Sequence, residues 1–136
     1  MPSCCLAAPT LHTNRYPPYN KGKMYIMIAG PYTTGSSDKE KWRQNHREMN
    51  RVAYEVHLKG HIPVIGVNLA LPIIETVGYD KFEELMMPIS LAMAERCDAV
   101  LRIGAASVGA DQEVEIFKKK GMPVYYTLNE IPETTK

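Results

Sequence analysis

The chain predicts an α/β fold of three layers, in which helices cover both faces of a parallel sheet of four or five strands. Two observations carry this. Short apolar, β-branched runs alternate with segments of helical period along residues 24–127, the order that right-handed parallel crossovers produce. The first of these runs is apolar throughout, as a strand covered on both faces must be, and shows no polar alternation.

Each element can be justified in turn. "MYIMIAG" over 24–30, closed by Gly30 and Pro31, is the first strand. A hydroxyl-rich loop follows. Ser37 with Glu40 three positions on makes a capping box, and Trp42, His46, Met49, Ala53 and Val56 then form one stripe of a helix that Gly60 ends. "HIPVIGV" over 61–67 is the second strand, and a loop containing Pro72 leads to a helical stretch within 80–96, where Pro88 either kinks the helix or opens a second one. "AVLRI" (99–103) is the third strand, 110–120 a helix and "PVYYT" (123–127) the fourth strand.

Composition limits what such a domain does. A chain of 136 residues with 45% hydrophobic residues holds one domain with a real core. Its 16 basic and 15 acidic residues leave a formal charge of +1, so no global field draws in a nucleic acid polymer or an anionic membrane. Three cysteines, Cys4, Cys5 and Cys97, have neither metal spacing nor a disulfide framework. With no long apolar run and no charged, signal-like start, a cytoplasmic protein is expected. Residues 1–23 hold four prolines and no acidic residue and read as a flexible extension, leaving 24–136 as the domain.

Open parallel sheets bind ligands outside the carboxyl ends of their strands, which selects the loops Gly30–Ser37 and Gly104–Ala110. Neither carries a GxGxxG or Walker-type lysine motif, so a dinucleotide or triphosphate site has little support. In "SVGADQEVEIFKKKGMPVYY" (107–126), Gly109 lies where strand passes to helix, and the amides of 107–111 there suit an anion. Ala110, Val114 and Phe117 share the apolar face of that helix, while Asp111, Glu115, Lys118 and Lys119 fall on the wet one. Glu113 lies at the border. It is the acidic residue best placed to point into a cleft, and the helix dipole is expected to keep it ionised. Acidic residues are common in a first helical turn for electrostatic reasons alone, so spacing by itself does not make it catalytic.

Gly30-Pro31-Tyr32 after the first strand, with Ser107-x-Gly109-x3-Glu113-x7-Gly121-x-Pro123-Val124 near the end, resembles the nucleoside 2-deoxyribosyltransferase superfamily over about residues 24–127. Within it the chain looks closest to short phage and bacterial members. The resemblance implies a flavodoxin-like, Rossmann-like sheet and cleavage of the N-glycosidic bond of a nucleoside or nucleotide. It makes Glu113 the nucleophile that forms a covalent glycosyl-enzyme, and Gly30, Pro31, Tyr32, Ser107 and Gly109 the substrate-binding residues. No metal or redox cofactor is implied, and members commonly form homodimers or larger assemblies. A serine at position 107, where transferases acting on free nucleosides carry an acidic residue, leans toward a 5′-monophosphate; a helix cap is the competing reading of Ser107.

Two departures stand out. Members usually carry an aspartate eight residues before the Asp that opens the third strand, and here Asp98 minus eight is Ser90, so the donor of a proton to the leaving base is unassigned. Basic residues that some relatives place after the first-strand motif are replaced by Thr33 and Thr34, with Lys39 or Arg43 as substitutes for reaching a phosphate. A catalytically silent nucleotide-binding or regulatory module is therefore the rival reading. Asn45 and His46 read as polar surface and a border residue of their helix, Asp98 as a turn residue, and the Met-rich "LMMPISLAM" as core or subunit interface.

Overall fold

The computed structural model describes residues 22–134. The extension read over 1–23 lies, but for Gly22 and Lys23, outside the described residues. Four strands, β1 (Tyr25–Ala29), β2 (Ile62–Val64), β3 (Ala99–Arg102) and β4 (Val124–Tyr125), make one all-parallel sheet in the order β2-β1-β3-β4. Helices α1 (Lys39–Leu58), α2 (Gly66–Val77), α3 (Phe82–Ala94) and α4 (Val108–Lys119) flank it, giving a flavodoxin-like three-layer sandwich.

The two faces of β1 explain why its sequence is apolar throughout. Ile26 and Ile28 pack with Met49, Val52 and Val56 of α1 and with Ala70 and Ile74 of α2, while Met27 and Ala29 face Ala110, Val114 and Phe117 of α4. All four strand residues are within 1% of complete burial, so neither face tolerates a polar side chain. The outer strands are short: β2 has three residues, one of them Pro63, and β4 has two.

Helix α1 begins one residue later than the capping box implied. Asp38, not Ser37, caps it, its carboxylate accepting from the Glu40 amide at 2.9 Å, and Gly60 at φ 95 turns the chain out of it. Val52 joins the buried stripe, whereas Trp42 and His46 are only half-buried. The larger correction is α2. The segment expected to be a loop around Pro72, and the end of the expected second strand, form a helix in which Val67, Ala70, Leu71 and Ile74 are buried at helical spacing. Pro72 sits inside it at the cost of one backbone bond, with the Thr76 hydroxyl donating to the Pro72 carbonyl at 2.8 Å. Pro88 likewise lies within α3, which runs on through it rather than restarting there. Asp98 acts as a turn residue, as read, its carboxylate accepting from the Tyr25 amide at 2.7 Å. Among the described residues no helix is long and apolar enough to cross a membrane.

Candidate active site

A chamber of about 180 Å³ lies at the carboxyl ends of β1 and β3, where the loops that follow them meet α3 and α4. Gly30 brings the two loops together. A Cβ there would stand 2.9 Å from Ile103 Cγ1, closer than real contacts allow, so a larger residue would force the loops apart. Gly30, Tyr32, Ser107, Gly109 and Glu113 all line this chamber. Pro31 does not. It faces an adjoining hollow of about 260 Å³ with Asn45 and Gly104, and packs so near Gly104 (φ 78) that a Cβ there would meet Pro31 Cδ at 2.8 Å.

Ser107 fulfils one of its two readings. It is the N-cap of α4, buried, with Oγ accepting from the Ala110 amide at 3.3 Å and sharing a 3.2 Å hydrogen bond with the Thr34 hydroxyl. The same residue's carbonyl accepts from the Asp111 amide, so two amides expected to hold an anion are already engaged. Gly109 is not the turn either. It lies in the first turn of α4, where a Cβ would meet Met87 Sδ at 3.1 Å, and the turn falls at Gly104. Its smallness lets α3 approach α4.

Glu113 is the chemical centre of the chamber. It is only 7% exposed, yet among the described residues its carboxyl group makes no hydrogen bond and no ion pair. The expected dipole stabilisation loses to desolvation: burial pushes the carboxyl from 4.5 up to about 8, against a smaller opposing pull from the Arg102 guanidinium. Within the chamber Glu113 is thus mostly protonated at neutral pH. Arg102 is itself fixed in place, donating to Asp111 Oδ1 at 3.1 Å and to the carbonyls of Ile103 and Ala105, and so pins the loop that precedes Ser107.

The opposite wall comes from α3 through Phe82, Met86, Met87 and Ser90. Ser90, at the position where an aspartate was expected, is buried against the start of α2, and a Cβ at Gly66 would stand 2.1 Å from its hydroxyl. Part of the Met-rich stretch read as core or interface is therefore chamber wall. Asn45, read as polar surface, donates from Nδ2 to the Tyr32 carbonyl at 2.9 Å and holds the β1 loop. Nothing in the sequence marks that contact, because its partner is a backbone atom.

Other titratable groups have structural partners. His61 is a core residue whose Nδ1 accepts from the Met24 amide at 3.1 Å while Nε2 reaches the Pro132 carbonyl at 2.6 Å. Burial raises the Cys97 thiol to about 12, which leaves it an inert core group. Among the described residues no cluster of His, Cys, Asp or Glu is arranged to hold a metal ion.

A small chamber with several hydroxyls, the buried carboxyl of Glu113 and the exposed one of Glu83 can receive a neutral sugar ring and confront one carbon of it with an oxygen nucleophile. No family model matches the chain, and no curated protein matches it. The likeness to nucleoside 2-deoxyribosyltransferases therefore rests on the residues themselves.

Proposed function

We propose that the protein cleaves or transfers at the N-glycosidic bond of a nucleoside or nucleoside 5′-monophosphate, with Glu113 as nucleophile. The observation that carries this is Glu113, a residue only 7% exposed, whose carboxyl group has no protein partner among the described residues and opens into a chamber lined with hydroxyls. Burying such a group without a partner is expensive, and a ligand that uses it is the simplest compensation.

The steps follow from double displacement. A carboxylate oxygen of Glu113 bonds to the anomeric carbon as the C–N bond breaks, and the electron pair of that bond leaves with the base, which takes a proton from water. Water, or the nitrogen of a second base, then attacks the same carbon and loses a proton, and the ester bond to Glu113 breaks to restore the carboxylate. Configuration is retained across the two displacements. An electron-poor sugar carbon in the transition state draws Glu113 toward its charged form.

Incubation with nucleosides and their monophosphates, followed by chromatography of free base, tests the proposal. Glu113→Gln should reduce release by roughly a thousandfold or more; release that survives the substitution rules out the nucleophile. Only the ionised carboxyl attacks, so kcat/KM should rise with pH and level off above about 8. A limb that instead falls through this pH would make Glu113 a proton donor.

One observation favours the rival, a binding or regulatory module on the same scaffold: Ser90 puts a hydroxyl in the chamber wall at the position where an aspartate was expected. Tight nucleotide binding without turnover is its signature. Action on free nucleotides in the cytoplasm, by a homo-oligomer, belongs to the same proposal; the buried, inert thiol of Cys97 is compatible with a reducing compartment.

A further inference from the structure

The Glu113 chamber is smaller than the roughly 300–1,000 Å³ that enclose an ordinary small-molecule ligand. A second hollow of about 370 Å³ lies on the other side of Tyr32, which lines both. Its walls are aromatic, from Tyr32, Trp42 and Tyr79, and Lys39, Arg43 and Glu75 supply charge at its edges. The Tyr32 ring is held between the two spaces, stacked on Phe82 at 6.4 Å between centroids and edge-on to His46 at 5.9 Å.

Aromatic walls of this kind accept a flat heterocycle, and the polar groups decide which one. Glu75 offers a carboxylate acceptor, and its charge acts on the Tyr32 hydroxyl. Lys39 and Arg43 offer only donors. Neither cation is locked: Lys39 Nζ lies 5.8 Å from the Tyr79 ring centroid, and Arg43 pairs with Glu40 at 2.9 Å with both side chains at least half exposed, a pairing of little strength. His46 and Asn68 are occupied with each other, and Asn68 also donates to Asn50, so they contribute shape rather than free hydrogen bonds. An acceptor and donors lining one aromatic hollow complement guanine, which presents N–H groups along one edge and the O6 and N7 acceptors on another. Adenine offers a carboxylate only its N6 amino group, whereas guanine offers two adjacent donors, N1–H and N2–H.

We propose that this hollow is a guanine subsite, resting on the reading above that the ligand is a nucleotide whose sugar occupies the Glu113 chamber. Glu75 accepts from the N1 and N2 hydrogens, Arg43 or Lys39 donates to O6 and N7, and the ring lies against Tyr32 and Trp42.

Trp42 is the sole tryptophan of the chain, so its fluorescence reports occupancy without any need for turnover. The full-length protein is titrated with guanosine and adenosine 5′-monophosphates. The expected result is quenching by the guanine nucleotide at a concentration at least tenfold lower, a preference that the surface substitution Glu75→Ala abolishes. Equal affinity for the two nucleotides, or a preference that survives Glu75→Ala, overturns the subsite. The catalytic reading fails separately. Selective quenching without base release leaves the subsite standing and removes the enzyme, whereas base release with an unresponsive or unselective Trp42 does the reverse. Silence in both measurements overturns both.

Discussion

At the scale of single residues, the position of Glu113 was legible and its protonation was not. Its place on the border of the α4 stripe, beside Ala110 and Phe117, follows from helical spacing. Its ionisation depends on how much water the α3 wall excludes, and Met87 and Ser90 lie more than twenty positions away in sequence. Desolvation therefore outweighs the dipole that local reasoning favours. The raised value has a consequence for stability that is independent of catalysis. Because the folded carboxyl titrates at about 8 and the unfolded one near 4.5, the folded state is favoured most below pH 4.5 and loses stability as pH rises through 8. The loss is on the order of 5 kcal/mol for the full change. Glu113→Gln cannot ionise. Denaturant unfolding at pH 5 and pH 9 should show a smaller decline for the variant than for the parent, and equal declines would mean that the group is not desolvated.

At the scale of elements, the misread segment was α2, and the reason is physical. A proline subtracts one amide bond, which makes Pro72 look like a stop signal, but Val67, Ala70, Leu71 and Ile74 bury enough apolar surface to offset that loss. Pro88 in α3 teaches the same lesson. The two helices are in close contact at Gly66, where Ser90 occupies the space a side chain would need. Gly66→Ala should therefore cost about 1–3 kcal/mol by forcing α2 from α3, although alanine is the better helix former. Thermal unfolding of Gly66→Ala, Ser90→Gly and the double variant checks this: the double variant should recover part of the loss, and strictly additive losses would refute the close packing. Because Ser90 also lines the chamber, the same pair should alter ligand affinity where an ordinary destabilised surface variant would not.

At the scale of the whole molecule, strand and helix alternation was enough to give the layers and the parallel sheet, because β1 must be covered on both sides and parallel crossovers place helices there. The two loops selected by the carboxyl-end rule do meet at the chamber. Hidden from sequence was the contribution of α2 and α3, since which face of a helix meets a loop from a distant strand depends on crossover geometry rather than on any local pattern. The second hollow illustrates this, with Tyr32 from the β1 loop, Trp42 from α1 and Glu75 from α2 converging across more than forty residues.

The brevity of the outer strands has a bearing on how copies of this chain could meet. An edge of three residues that includes Pro63, and an opposite edge of two, present almost no free ladder to a neighbour, so growth of one sheet into another, the route to fibrillar aggregates, has little to start from. Any association between copies must then be made by side chains on the helical layers, where it can be tuned one substitution at a time without disturbing the backbone pairing within each molecule.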